Sequence, residues 1–243
     1  MGRVQSDRLL KTWIVLPTYN EAGNVTAMLD AILSLGSGME ILVVDDDSPD
    51  GTGVLVEARA QQEPRVRALR RRGERGLGTA YQAGFQEALR RGAQAVVTMD
   101  CDFSHDPAQI PALVAALDGA DVAVGSRYTP GGRIEGWSLH RRLLSASANR
   151  FVHLLFHLPA HDCTSGFRAY RRHILEAIPW ERIQSTGYSF LVESLLWAAR
   201  QEVARIREVP ICFKDRDEGV SKLGWREAVH GAFNLLRVWR RQR

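Results

Sequence analysis

The chain has 243 residues with a formal charge of +4, and 45% of them are apolar and 25% charged. That length and balance suit a globular α/β protein with a real core, and they speak against a disordered or fibrous chain. The charge is too mild to argue for nucleic acid, and three scattered cysteines (Cys101, Cys163, Cys212) without a CxxC pair speak against a disulfide framework or zinc site and suit a reducing compartment.

In chain order, short β-rich runs alternate with helical patterns. The first eleven residues lack the apolar stretch of a secretory signal, and the loose myristoylation match of Met1-Gly2 with Ser6 is discounted. Thr12–Leu16 reads as a strand and Pro17-Thr18-Tyr19-Asn20 as a turn; Val25, Met28, Leu29, Ile32 and Leu33 then recur at helical spacing. Glu40–Val44 is a second strand ending on Asp45-Asp46-Asp47, and Val66–Leu69 a third. Gly78–Arg91 is helical, Ala95–Met99 is a fourth strand, Ala108–Leu117 a helix and Asp121–Gly125 a fifth strand. The second half is less regular: helices over Leu139–Phe156 and Phe190–Arg200, a strand over Ile206–Phe213, a polar loop over Arg216–Leu223 and a terminal helix over Arg226–Arg240. No apolar run approaches the ~20 residues of a spanning helix. With no repeat and no clear linker, residues 1–243 read as one domain, built on a mostly parallel central sheet with helices on both faces.

Ligands of such sheets bind beyond the carboxyl ends of the strands. Polar clusters follow three strand ends, at Pro17–Glu21, Asp45–Asp50 and Asp100–Asp106. Asp100-Cys101-Asp102 could be a solvated turn with Asp as helix cap, but it follows an apolar strand, which favours reading its two carboxylates as a hard oxygen site for Mg²⁺ or Mn²⁺ that a pyrophosphate would complete. Asp45-Asp46-Asp47 would repel one another without cationic or hydrogen-bonding partners. One of them gripping a ribose or base, and Asp47 or Ser48 capping the turn, both stay open. Tyr19 could stack on a base and Glu21 accept from it, although a turn with Asn20 as cap explains the same residues. Arg141, Arg142 and Arg150 read either as a solvated helix face or as phosphate ligands. No HExxH or similar histidine spacing is present, His105 belongs to the loop of the acids, and Cys163 has no obvious base partner.

Pro17-Thr18-Tyr19-Asn20-Glu21, Val43-Val44-Asp45-Asp46-Asp47-Ser48, Gly76-Leu77-Gly78-Thr79-Ala80-Tyr81 and Met99-Asp100-Cys101-Asp102-Phe103-Ser104-His105 resemble the family-2 glycosyltransferases of the GT-A fold. Gly125-Ser126-Arg127-Tyr128, Gly136-Trp137-Ser138, Asp162–Arg168 and Ser221-Lys222-Leu223-Gly224 narrow the resemblance to the dolichol- or polyprenol-phosphate mannose synthases, from about residue 12 to about residue 225. Cys101 stands where Ala is usual, and Ser165-Gly166 reverses the common order.

The resemblance implies an inverting, metal-dependent mannosyl transfer from GDP-mannose to a polyprenyl or dolichyl monophosphate. It implies that Pro17, Tyr19, Glu21 and Asp45 hold the nucleoside, with Asp47 and Cys101 in the same binding set. Asp100 and Asp102 would hold the metal with Ser104 beside them. Arg127 would face a phosphate, Arg141 and Ser145 would meet the lipid phosphate, and Arg216 and Lys222 would clamp phosphate from a mobile loop. About 12–130 would then be the donor half and 131–243 the acceptor half. The protein would work at the cytoplasmic face of a membrane, either peripherally or through a membrane-anchoring partner. The basic terminal helix could lie on lipid, although a core-packed helix with a basic tail is favoured. A UDP-glucose or UDP-N-acetylglucosamine donor, and a non-catalytic nucleotide-sugar-binding scaffold, are the alternatives; an NAD oxidoreductase is weaker, since no GxGxxG follows the first strand.

Overall fold

The computed structural model describes residues 10–201, 204–215 and 234–240. Its elements run β1 (Thr12–Thr18), α1 (Val25–Leu33), β2 (Met39–Asp45), α2 (Thr52–Gln62), β3 (Val66–Arg70), α3 (Leu77–Arg90), β4 (Ala95–Thr98), α4 (Ile110–Ala116), β5 (Val122–Ser126), β6 (Arg133–Glu135), α5 (Leu139–Phe156), β7 (Arg168–Arg171), α6 (Arg172–Ala177), α7 (Tyr188–Ala199), β8 (Ile206–Pro210) and β9 (Cys212–Lys214). The large sheet has the order β3-β2-β1-β4-β7-β5-β8, and β6 pairs with β9 in a small second sheet. Every pairing is parallel except those of β7, which runs antiparallel between β4 and β5.

Strand alternation divides the core into two layers. Trp13, Val15, Leu42, Val44, Val96, Val122 and Val124 point to one face, where α3, α6 and α7 cover them with Tyr81, Phe85, Ile174, Phe190 and Leu195. Ile14, Leu16, Ile41, Val43, Ala95, Val97 and Ala123 point to the other, against Met28, Leu29 and Ile32 of α1, Val56 of α2 and Ile110 and Leu113 of α4. Burial on both faces is why these strands read as continuous apolar runs. The helical residues 234–240 pack Leu235 and Val238 into the first layer.

Three differences from the sequence reading have physical causes. β1 continues through Pro17 to Thr18. Val15 O accepts from Met99 N on the β4 side and Thr18 O from Asp46 N on the β2 side, so residue 17 faces β4, whose pairing has already ended at Val15↔Thr98. The missing N–H of Pro17 therefore costs the ladder nothing. The expected strand over 206–213 is two strands, because the chain turns at Ile211. There Ile211 N–H donates to Ser126 O at 3.0 Å while Ile211 O accepts from Arg133 N at 2.9 Å, which passes the chain from one sheet to the other. The short β7 was not anticipated: three of its four residues are Arg, Tyr and Arg, which hides a buried strand.

Candidate functional site

Parallel pairing sets the ends of β1 and β2 side by side, with Thr18 opposite Asp45. The three acids that follow are separated, each with its own partners. Asp45 is buried and accepts from Thr18 Oγ1 (3.1 Å), Ser48 Oγ (2.6 Å) and Ser48 N (3.1 Å). Asp46 accepts from Arg71 Nε and from Gly76 N–H, each at 2.8 Å, and Arg71 donates onward to Thr79. Asp47 takes a left-handed backbone (φ 55°) and its carboxylate lies 3.4 Å from Arg70. The repulsion that three adjacent acids imply is thus offset locally, and Arg70 and Arg71 at the end of β3 supply the charge.

The loop after β1 is fastened to the loop after β2. Asn20 N–H donates to Ser48 Oγ, Glu21 N–H to Thr52 Oγ1 and Ala22 N–H to Asp50, at 2.9–3.0 Å. This leaves Tyr19 half-buried with the Arg75 guanidinium 4.6 Å from its ring centroid, and Glu21 accepting from the Asn24 amide. Pro17, Tyr19, Glu21, Asp45 and Asp47 therefore stand together at the tips of β1 and β2.

The turn after β4 carries Asp100 and Asp102. Asp102 accepts from Ser104 N–H at 3.0 Å and Ser104 Oγ at 2.6 Å, and Ser104 itself is buried. The Ser104 hydroxyl donates its hydrogen to Asp102 and keeps its oxygen lone pairs. Cys101 turns its side chain into the core, and burial, then Glu21, Asp102 and Asp100, push its thiol pKa well up. Across from Asp100 lies Gly166, whose carbonyl accepts from Thr98 Oγ1 at 2.7 Å. A β-carbon on Gly166 would stand 3.7 Å from Asp100 Oδ1 and 3.3 Å from the hydroxyl of Tyr81. That hydroxyl is buried without a hydrogen-bond partner among the described residues. Two carboxylates two residues apart on one turn, with Gly166 beside Asp100, fit a hard divalent cation that would take its remaining ligands from diphosphate and water.

A second network joins Arg127, the 162–164 loop and α5. Arg127, at the end of β5, donates to Asp162 from Nε and a terminal nitrogen, both at 2.7 Å, and from its main-chain N–H at 3.0 Å. Burial alone would raise the Asp162 pKa; the Arg127 guanidinium beside it wins and holds the carboxyl below the usual range. Asp162 and Thr164 belong to a motif that the sequence singled out without giving them a role, and Asn149 was not singled out at all. Asn149 is buried one turn beyond Ser145 on α5 and holds Cys163 N, Thr164 N and Thr164 Oγ1. The i, i+4, i+8 spacing of Arg141, Ser145 and Asn149 was the signal that could have found it. Ser145 accepts from the Tyr128 hydroxyl at 2.8 Å. Arg141 reaches Asp215 at 2.8 and 3.0 Å and stacks 4.1 Å over Trp137. Burial pushes the Cys163 thiol up to about 12, consistent with no nucleophilic role. Arg216 and Lys222 lie outside the described residues.

Phe213 on β9 joins the two networks. Its ring centroid is 5.3 Å from that of His105 in the acidic turn and 5.3 Å from that of Trp137, and the Arg127 guanidinium lies 5.3 Å from it.

This arrangement has known counterparts. The family model for glycosyl transferase family 2 matches residues 13–178. The chain belongs to that family. Over 215 residues this family-2 chain is 44% identical to the polyprenol monophosphomannose synthase of Mycolicibacterium smegmatis, covering 88% of this chain and 81% of that protein. It is 40% identical to the undecaprenyl-phosphate mannosyltransferase of Micrococcus luteus, covering 94% and 93%. Among solved structures, glucosyl-3-phosphoglycerate synthase from Mycobacterium tuberculosis, in complex with Mn²⁺, UDP and phosphoglyceric acid, aligns with a TM-score of 0.68 at 21% identity, over 93% of this chain and 78% of that one. The α/β fold of this family-2 glycosyl transferase is thus the GT-A fold that its motifs implied.

Proposed function

We propose that this glycosyl transferase moves mannose from GDP-mannose to a polyprenyl monophosphate, with the Asp100–Asp102 turn as its metal-binding element. The observation that carries this reading is the junction at Phe213, which sets an acidic turn suited to a metal diphosphate beside an arginine-lined wall suited to a second phosphate. The two curated mannosyltransferase relatives support the choice of sugar and acceptor.

Asp100 and Asp102 would hold Mg²⁺ or Mn²⁺, which when bound offsets the charge that builds on the leaving diphosphate. The tips of β1 and β2 hold the nucleoside through Tyr19, Glu21 and the Asp45 loop. Arg141 and Ser145 lie one turn apart on the same face of α5 and orient the acceptor phosphate. One of its oxygens bonds to the anomeric carbon as the bond to the donor diphosphate breaks. A phosphate monoester is already an anion near neutral pH, so no strong general base is needed. Arg127 is held by Asp162 and shapes the wall between the two phosphates.

The acceptor is a lipid, and no helix among the described residues is long and apolar enough to cross a membrane. The outer face of α5 supports surface docking. Leu139, Leu143, Phe151 and Leu154 are exposed, Arg142 and Arg150 accompany them, and the helix contains no acidic residue. An apolar, basic face of this kind lies on anionic lipid. It is a better candidate than residues 234–240, whose Leu235 and Val238 are core.

The test is to incubate the purified protein with Mn²⁺ or Mg²⁺ and a short polyprenyl phosphate, with GDP-mannose and UDP-glucose in parallel. Mannosyl lipid from GDP-mannose alone is the expected outcome; product from UDP-glucose alone would overturn the donor assignment.

A further inference from the structure

His105 has no part in the chemistry above, yet it is among the most enclosed polar side chains of the molecule, at 2% exposure. Its Nδ1 accepts the main-chain N–H of Asp100 at 3.3 Å. Asp100 Oδ2 is 3.8 Å from the same nitrogen, outside hydrogen-bond range, so the main-chain N–H is the closer partner. In this contact Nδ1 is the acceptor and the Asp100 N–H the donor.

The ring is fixed from both sides. The centroid of Phe167, just beyond Gly166, is 5.1 Å away, and that of Phe213 is 5.3 Å away, edge on. The main chain is fixed as well: residues 105 and 213 form an antiparallel bridge, and Lys214 N–H donates to Ser104 O at 3.1 Å. The turn that bears the two acids also contains Phe103 at φ 58°, a left-handed backbone that side chains rarely adopt and that surrounding contacts have to hold.

We infer that His105 is a positioning residue: its Nδ1 fixes the Asp100 peptide, and its ring ties the metal-binding turn to β9. This rests on the reading of Asp100 and Asp102 as the metal pair. A metal is held tightly only where the groups around its ligands fix their direction, and removal of one such group typically costs 10–100-fold in affinity.

Two substitutions separate the hydrogen bond from the packing. His105→Phe keeps a ring between Phe167 and Phe213 but removes the acceptor. His105→Asn keeps an acceptor near the place of Nδ1 but removes the ring. Binding of Mn²⁺ in the presence of GDP is followed by the electron paramagnetic resonance of the free ion, with Tm and metal-free GDP affinity measured alongside. In His105→Phe the Mn²⁺ dissociation constant should rise about tenfold while Tm and metal-free GDP affinity stay near wild type; in His105→Asn it should stay within about threefold of wild type although Tm falls. The reverse order, with His105→Phe binding Mn²⁺ normally and His105→Asn impaired, would show a packing role and overturn the inference. So would loss of Mn²⁺ affinity in both variants in step with Tm. Wild-type protein that binds GDP but no Mn²⁺ would instead remove the metal-site reading, and this inference with it.

Discussion

Arg127 and Asp162 meet in a two-point ion pair, 2.7 Å at each contact, with Asp162 fully buried and Arg127 nearly so. Asp162→Asn would leave a buried guanidinium without its counter-charge, which costs about 3 kcal/mol, or roughly 10 °C in Tm for a chain of this size. The pH dependence follows from the same pair. The folded-state pKa of Asp162 lies below its unfolded value, so its contribution is fully present above the unfolded pKa and is lost as pH falls through the folded one. Thermal melts across the acid range should show the wild type losing stability more steeply than Asp162→Asn below about pH 4. Parallel curves would mean that the pair does not control acid stability.

Asp102→Ala removes a carboxylate that accepts two hydrogen bonds from Ser104. Transfer should fall at least ~100-fold, the scale of losing one electrostatic contact at the reacting centre, while Tm moves by only a few degrees. A variant that keeps most of its rate with metal present would remove this residue from the mechanism.

Gly84 lies on α3 where it packs across β1 and β2. A β-carbon there would stand 2.4 Å from Val15 Cγ1 and 3.1 Å from Val44 Cγ2, and both valines are fully buried. Gly84→Ala gains about 1 kcal/mol of helix propensity, but overpacking costs about 2–3 kcal/mol where neither neighbour can yield. The net result should be destabilisation by denaturant unfolding, against the propensity scale. An unchanged or raised midpoint would show that α3 can lift off the sheet.

On α5, Leu139, Leu143 and Leu154 are 72%, 60% and 56% exposed, a cost in water that a lipid surface would remove. Replacing the three with Ser should lower partitioning into anionic vesicles at least ~tenfold, given roughly 1.5 kcal/mol or more per inserted Leu. Turnover of a short, water-soluble polyprenyl phosphate should stay at the wild-type rate. Wild-type protein that ignores such vesicles would move membrane recruitment to another surface or to a partner.

Much of this molecule was legible in one dimension because its signals are local. Strands buried on both faces must be apolar throughout, so β1, β2, β4 and β5 announced themselves, and chain direction alone put the acids at their carboxyl ends. The helical spacing of Val25, Met28, Leu29 and Ile32 located α1, whereas Arg141 and Ser145 on α5 were pointed to by the family resemblance.

What only the tertiary structure decided is where charge meets charge across long stretches of chain. Asp46 finds Arg71 across 25 positions, Arg127 finds Asp162 across 35, and Arg141 finds Asp215 across 74. No periodicity encodes such pairs, because the partners sit on different elements and only the sheet order brings them together. The antiparallel β7 is the decisive case. Its insertion between β4 and β5 places the 162–167 loop against both the acidic turn and Arg127. A four-residue strand containing two arginines cannot be recognised until its neighbours are known to bury it.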